Sequence, residues 1–364
     1  MEQKRLFFID AMRAWAILMM LQGHFIDGLL DPVFRNASDP IFKTWLYFRG
    51  ITAPVFFTAS GLIFTYLLFK NPQQAYRKER LKKGLSRVGQ LLLLGYALRV
   101  NIRGLLQGHL YPSFFYADVL HCIGLSLLTI MILYVLIGRR SSLVFSLSCL
   151  LVTVFVFALE PAYDKLPWAG VPVFISNYFT KAHGSIFSLI PWLGYSTFGA
   201  FLALALLRFK ALKHFYIGAI VMSLLLGWFL KYQSSALLIG LDQQFGWPVL
   251  KAAAYNNYLF IRLGDVLWVL ALFMSAREFL KHPKILAVGQ NTLNIYVFHS
   301  VILYGSFHGF GLYRYFKKSL SPIEAFGGAL LFMGLSVGLS FLYVRVQPWR
   351  KQLISLIFVK KIQS

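Results

Sequence analysis

The sequence is short of acid and of cysteine. It holds 13 Asp and Glu against 36 Lys and Arg, and two cysteines, Cys122 and Cys149, both within apolar stretches. Two thiols so placed exclude a disulfide framework and a cysteine-based metal site; they read as buried, inert side chains. There is no low-complexity tract, no internal repeat and no polar stretch that would make a separate soluble domain. The formal net charge of +23 is large enough to suggest nucleic acid, but the basic residues sit in short clusters between apolar runs. That distribution marks membrane topology and argues against a nucleic-acid partner.

What is abundant is hydrophobic: 58% of the 364 residues are of that kind and 13% are charged. Apolar segments fall near residues 6–29, 45–69, 86–106, 117–137, 142–159, 185–207, 215–231, 257–275, 285–305 and 326–346. A helix needs roughly 20 such residues to cross a bilayer. The expected fold is therefore all-α, a polytopic integral membrane bundle of about ten transmembrane helices in one domain over residues 1–364. Lys4 and Arg5 precede the first run as in a secretion signal. That run is long, interrupted by charge and without a small-residue cleavage site, so it reads as a retained helix.

Alternating sides from an inside N-terminus makes every inside connection basic: Lys70 to Arg87, Arg139 and Arg140, Arg208 to Lys213, Arg277 to Lys284, and the tail from Arg350 to Lys361, with the cluster of Arg314, Lys317 and Lys318 the exception on the other side. The positive-inside rule then selects N-in and C-in. The opposite connections carry Tyr163, Trp168, Tyr178 and Trp247, either as interfacial belt residues or as platforms for sugar rings. The basic stretch YRKERLKKGLSR (76–87) reads as a helix at the inner surface, attracted to anionic membrane lipids or to an anionic cytosolic ligand.

The first apolar segment, FIDAMRAWAILMMLQGHFID (8–27), carries Asp10, Arg13, His24 and Asp27. Asp or Arg at the centre of a membrane helix costs roughly 2.5–3.5 kcal/mol, so such residues face protein or water. Arg13 and His24 are eleven positions apart, about 20° from eclipse on an α-helix but roughly 16 Å apart along it. They share a face yet cannot act on one atom. Asp10 can pair with Arg13 at i, i+3 but cannot reach His24. Other segments add Asp118 with His121, Arg262 with Asp265 beside Asn257, and Asn291, Asn294 and His299. Each alone reads as helix–helix glue; several at one level describe a lined cavity.

The spacing Asp10, Arg13, ten residues, then His24 resembles the first-helix signature of the membrane acyltransferase superfamily. That superfamily includes acyltransferase-3 proteins and heparan-alpha-glucosaminide N-acetyltransferase-like proteins. The stretches ITAPVFFTASGLIF (51–64), YADVLHCIGLSLL (116–128) and FSLIPWLGYSTFGA (187–200) are similar to the second branch, and VGQNTLNIYVFHSVIL (288–303) to a late helix shared across the superfamily. The lysosomal enzyme's Trp-Asn-Gly stretch and long first lumenal domain are lacking. The resemblance implies transfer of an acyl group, commonly acetyl, from cytosolic acyl-CoA to a hydroxyl or amine of an extracytoplasmic glycan or sugar, with no metal.

In that reading His24 is the catalytic base or nucleophile, with His299, Asp118 and His121 as groups that orient it or stabilise an oxyanion. Asp10, Arg13, Arg77, Arg80 and Arg87 serve the acyl-CoA, and Asn257, Arg262 and Asp265 serve the acceptor. The expected location is a bacterial cytoplasmic membrane, and a homodimer is left open. The competing reading is a transporter or flippase of a polar or anionic small molecule, which the missing repeat disfavours.

Overall fold

The computed structural model describes residues 6–166, 168 and 170–360, with side chains as far as 348. Lys4, Arg5 and Lys361 lie outside the described residues, as do the side chains of Arg350, Lys351 and Lys360. Among the described residues there is no β-strand. The α-helices in chain order are α1 (Phe7–Leu29), α2 (Pro40–Phe69), α3 (Gln74–Ala97), α4 (Ile102–Leu106), α5 (Val119–Leu133), α6 (Ser142–Ala158), α7 (Glu160–Tyr163), α8 (Val173–Ser176) and α9 (Leu189–Phe209). They continue as α10 (Phe215–Tyr232), α11 (Ser234–Phe245), α12 (Pro248–Tyr255), α13 (Tyr258–Ser275), α14 (Pro283–Gln290), α15 (Thr292–Tyr304), α16 (Leu312–Phe316) and α17 (Pro322–Lys360).

Every apolar segment of the sequence is helical, and the chain is an integral membrane bundle. Among the described residues six stretches are, by length and composition, long and apolar enough to cross a bilayer: Pro40–Phe69, Pro112–Gly138, Leu189–Phe209, Phe215–Tyr232, Tyr258–Ser275 and Pro322–Pro348. The other four segments depart from that pattern for visible reasons. Helix α1 is diluted by Asp10, Arg13, His24 and Asp27, and α3 begins in the basic run. Helix α6 has 17 residues, and the ninth segment is broken at Asn291 into α14 and α15.

Side-chain contacts fix the relative directions. Arg13 meets Thr292 and His24 meets Tyr304, so α1 and α15 run parallel. Phe57 stacks on Trp192 while Tyr66 meets Lys210, so α2 and α9 are parallel too. Lys231 with Asp265 and Trp268 with the Leu224 carbonyl make α10 and α13 antiparallel. These directions are those of segments that alternate across the bilayer from first to ninth.

The bundle is cut by close backbone approaches, as expected where lipid supplies no hydrophobic drive between helices and small residues let them touch. A Cβ added at Gly61 would lie 1.9 Å from the Ser196 carbonyl oxygen, and one at Gly199 would lie 2.0 Å from that of Thr58. Helices α2 and α9 therefore meet backbone to backbone. A Cβ at Gly289 of α14 would lie 1.9 Å from the Asp10 carbonyl oxygen of α1. Ends are set by caps: Asp39 accepts from Phe42 N (2.8 Å) to start α2, and Gly305, at φ +70°, stops α15 immediately after Tyr304.

Gly61→Ala should destabilise the bundle by at least about 1–3 kcal/mol, the usual cost of overpacking, read as a lower melting temperature in detergent. Gly334→Ala, whose Cβ would meet nothing within 4 Å, should leave that temperature unchanged or raise it; equal losses in both would refute the close packing of α2 on α9.

Candidate active site

Helix α1 presents Arg13 and His24 to two different cavities. The inner one, about 250 Å³, is lined by Arg13, by Ser60 of α2, by Arg80 and Arg87 of α3, and by Thr292 at the start of α15. Arg13 pairs with Asp10 at 3.8 Å and donates to Thr292 Oγ1 at 3.1 Å. Arg87 donates to Gln90 Oε1 at 2.8 Å. Arg77 is turned away from this group: its Nε donates to the Asn71 carbonyl (3.3 Å) and its guanidinium lies 5.2 Å from the Phe69 ring centre. The charge rule makes this end cytoplasmic.

The outer cavity, about 800 Å³, lies within the size range of small-molecule sites and is lined by His24, Arg49, Arg99, Asn101, Asp118, Trp192, Tyr304 and others. The His24 Nδ1 is 2.7 Å from the Tyr304 hydroxyl. Behind it the His299 ring stands edge-on with centres 5.3 Å apart, fully buried, its Nδ1–H donating to the Tyr296 carbonyl. Arg49 is paired with Asp27, one turn beyond His24 on α1, and Arg35 donates to the Asp27 carbonyl at 2.6 Å. Pro54 lacks the N–H that would bond the residue-50 carbonyl, which loosens α2 beside this cavity.

Asp118 caps α5, accepting from Leu120 N at 3.0 Å, and its carboxylate lies 3.6 Å from Arg99 Nε on the cavity wall. His121 closes the capping box: its Nδ1 lies 3.2 Å from Asp118 N and 3.1 Å from the carboxylate. Its ring is edge-on to Tyr96 at 4.4 Å and does not line the cavity. Of the four residues expected around the reaction, His24 and Asp118 face the outer cavity, His299 backs His24, and His121 supports Asp118.

Asn257, Arg262 and Asp265 do not line either cavity. Asn257 donates to Ser234 (2.7 Å) and Ser235 (2.9 Å). Asp265, 1% exposed, accepts from Lys231 (2.7 Å), Tyr47 (2.7 Å) and Arg262 (3.3 Å). This is a polar knot between α2, α10 and α13 in which one carboxylate is shared by two cations and a phenol. Three of the four loop aromatics are engaged elsewhere, and Trp247, 57% exposed, has its ring centre 5.4 Å from that of Phe245 and lines neither cavity. Trp168 stacks on Phe179 (5.2 Å between centres), and Tyr163 donates to the Val156 carbonyl (2.9 Å). Tyr178 bonds Tyr96, and burial together with that bond pushes its phenol above its ordinary pKa. Trp192 and Tyr111 line the cavity in their place.

The residues that sequence reasoning missed are Arg49, Arg99, Thr292 and Tyr304. Arg49 and Arg99 carry a signal, a charge inside an apolar segment. Thr292 and Tyr304 carry none. The two cavities share Met20, Phe56, Val119 and Tyr296 in their linings, so a waist of these four side chains lies between them, on α1 nearer His24 than Arg13.

Residues 5–239 match the family model described as "Heparan-alpha-glucosaminide N-acetyltransferase, catalytic". That span covers Arg13, His24, Arg80, Arg87 and Asp118 and ends before α15. No curated protein matches the chain.

Asp265→Ala should strand Lys231 and Arg262. Breaking a buried pair costs roughly 3–5 kcal/mol, and with these cations 18% and 27% exposed the loss should fall near the lower figure. Denaturation in detergent reads it; an unchanged midpoint would mean that Asp265 is not what neutralises them.

Proposed function

Because the chain belongs to the heparan-alpha-glucosaminide N-acetyltransferase catalytic family, we propose that it moves an acetyl group from cytosolic acetyl-CoA to an amine or hydroxyl of an extracytoplasmic sugar. The observation that supports this most is the pair of cavities strung along one face of α1, arginines at one end and an imidazole at the other, meeting at a narrow waist. Coenzyme A has the matching form: a polyanionic nucleotide end, a thin pantetheine arm and a thioester at the tip. Arg13, Arg80 and Arg87 supply charge-assisted donors for the phosphates. The arm passes between Met20, Phe56, Val119 and Tyr296, and the thioester arrives beside His24.

His24 engages Tyr304 through one ring nitrogen and has the other for the acceptor. A neutral imidazole takes the proton of the attacking amine or hydroxyl as the nucleophile adds to the thioester carbonyl. The C–S bond then breaks, and the sulfur leaves with the proton carried by His24, releasing free coenzyme A. An outer cavity of about 800 Å³ has room for a sugar beside the thioester, which favours direct transfer over an acyl-imidazole relay. Asp118, Arg99 and Asn101 supply acceptors and donors for hydroxyl groups, and Trp192 a flat apolar face.

With labelled acetyl-CoA and glucosamine supplied to proteoliposomes, His24→Ala should lower transfer about 10²–10⁴-fold, the usual worth of a general base. Arg13→Ala and Arg87→Ala should each raise the acetyl-CoA KM about tenfold or more, since hydrogen bonds to charged groups contribute roughly 1.5–3 kcal/mol. Wild-type turnover in His24→Ala would remove it from the chemistry, and an unchanged KM in both arginine variants would move the donor site elsewhere.

A further inference from the structure

We propose that Tyr304 is a positioning residue for the transfer, holding His24 as the tautomer that carries its proton on Nδ1. The inference rests on the base role proposed for His24, and it adds a residue from a part of the chain that the family match, ending at residue 239, does not reach. Tyr304 is the last residue of α15, where Gly305 at φ +70° reverses the backbone; a Cβ at Gly305 would lie 2.3 Å from Gly311 N. The reversal leaves the phenol at the helix end, with its oxygen 2.7 Å from His24 Nδ1.

A neutral imidazole has one N–H and one lone pair. If Nδ1 donates to the Tyr304 oxygen, the lone pair is on Nε2, the nitrogen free to meet the acceptor. If instead the phenol donated to Nδ1, Nε2 would carry hydrogen and could not accept one. The Tyr304 ring lies on the cavity wall, so its own O–H can turn to solvent there. As Nε2 takes the acceptor's proton, the ring becomes cationic and the Nδ1–H bond to Tyr304 becomes charge-assisted; when Nε2 gives that proton to the departing sulfur, the ring returns to its starting form. Tyr304 gains and loses no proton in the cycle. Fixing a catalytic imidazole through the hydrogen bond at its other nitrogen is a general device. The His299 ring packs beside both, its centre 5.3 Å from that of His24 and 6.2 Å from that of Tyr304, so that tyrosine and histidine from one helix hold His24 together.

The test uses the full chain, labelled with ¹⁵N at histidine, in lipid nanodiscs. The His24 resonances are assigned by their disappearance in His24→Asn. Wild-type His24 should show a protonated Nδ1 and an unprotonated Nε2; Tyr304→Phe should move the proton to Nε2; Tyr304→Gln, whose amide carbonyl can still accept, should keep it on Nδ1. In the transfer assay with acetyl-CoA and glucosamine, Tyr304→Phe should lower kcat tenfold or more with the acetyl-CoA KM unchanged. Combined with His24→Ala it should cost nothing further. An Nε2-protonated wild-type ring, a tautomer indifferent to Tyr304→Phe, or losses that multiply in the double variant would overturn the proposal. Full transfer by His24→Ala would instead overturn the base role itself, and the nitrogen resonances would still decide what Tyr304 does to the ring.

Discussion

The site depends on α15 lying parallel to α1 and in register with it. Eleven residues separate Arg13 from His24 and twelve separate Thr292 from Tyr304, so two helices of equal pitch bring both pairs into contact at once. What permits that approach is at the start of the partner segment. Gly289 of α14 sits against the Asp10 carbonyl, closer than any side chain allows, and the break at Asn291 then turns the chain into α15 with Thr292 facing Arg13. One end of the pair serves the inner cavity and the other end serves the outer cavity. A displacement of α14 would therefore be felt at both.

Polar groups within the bundle divide into two kinds by what satisfies them. Asp265 with Lys231, Arg262 and Tyr47, and the Asn257 amide nitrogen with Ser234 and Ser235, are bonded to each other and line neither cavity. They join helices, which is the ordinary use of polar residues in a membrane interior. Arg13, His24, Arg99 and Asp118 are anchored on one side and open to a cavity on the other. Anchoring matters because a long charged side chain left to move loses the geometry that recognition needs. Asp118 illustrates it: the helix cap and His121 fix one carboxylate edge while Arg99 and the cavity meet the rest.

Much of this was legible in the sequence, and where legibility ended has a physical cause. Arg13 and His24 sharing a face yet opening to separate cavities follows from the helical repeat, and the pairs Asp10 with Arg13, Asp118 with His121 and Arg262 with Asp265 follow from i, i+3 spacing. Such local geometry does not say which face of a helix meets a cavity. Arg77, Arg80 and Arg87 look alike in a basic run, yet α3 docks so that the second and third reach the inner cavity while the first is held by Asn71 and Phe69. Arg262 and Asp265 read as cavity residues in the sequence because Lys231, the second cation on the Asp265 carboxylate, lies over thirty positions away. Tyr304 is 280 positions from His24, and only the packing of distant helices makes them neighbours.

The waist has a consequence for the cell that houses the protein. Two wet vestibules placed back to back, one open to each side of a membrane, are a short circuit for protons unless something dry stands between them, and a membrane holding an electrochemical gradient cannot tolerate many such leaks. Met20, Phe56 and Val119 carry no group able to relay a proton, and Tyr296 contributes a single hydroxyl. The constriction is thus also an insulator, and replacing its apolar side chains by polar ones would turn two separate cavities into one path for protons.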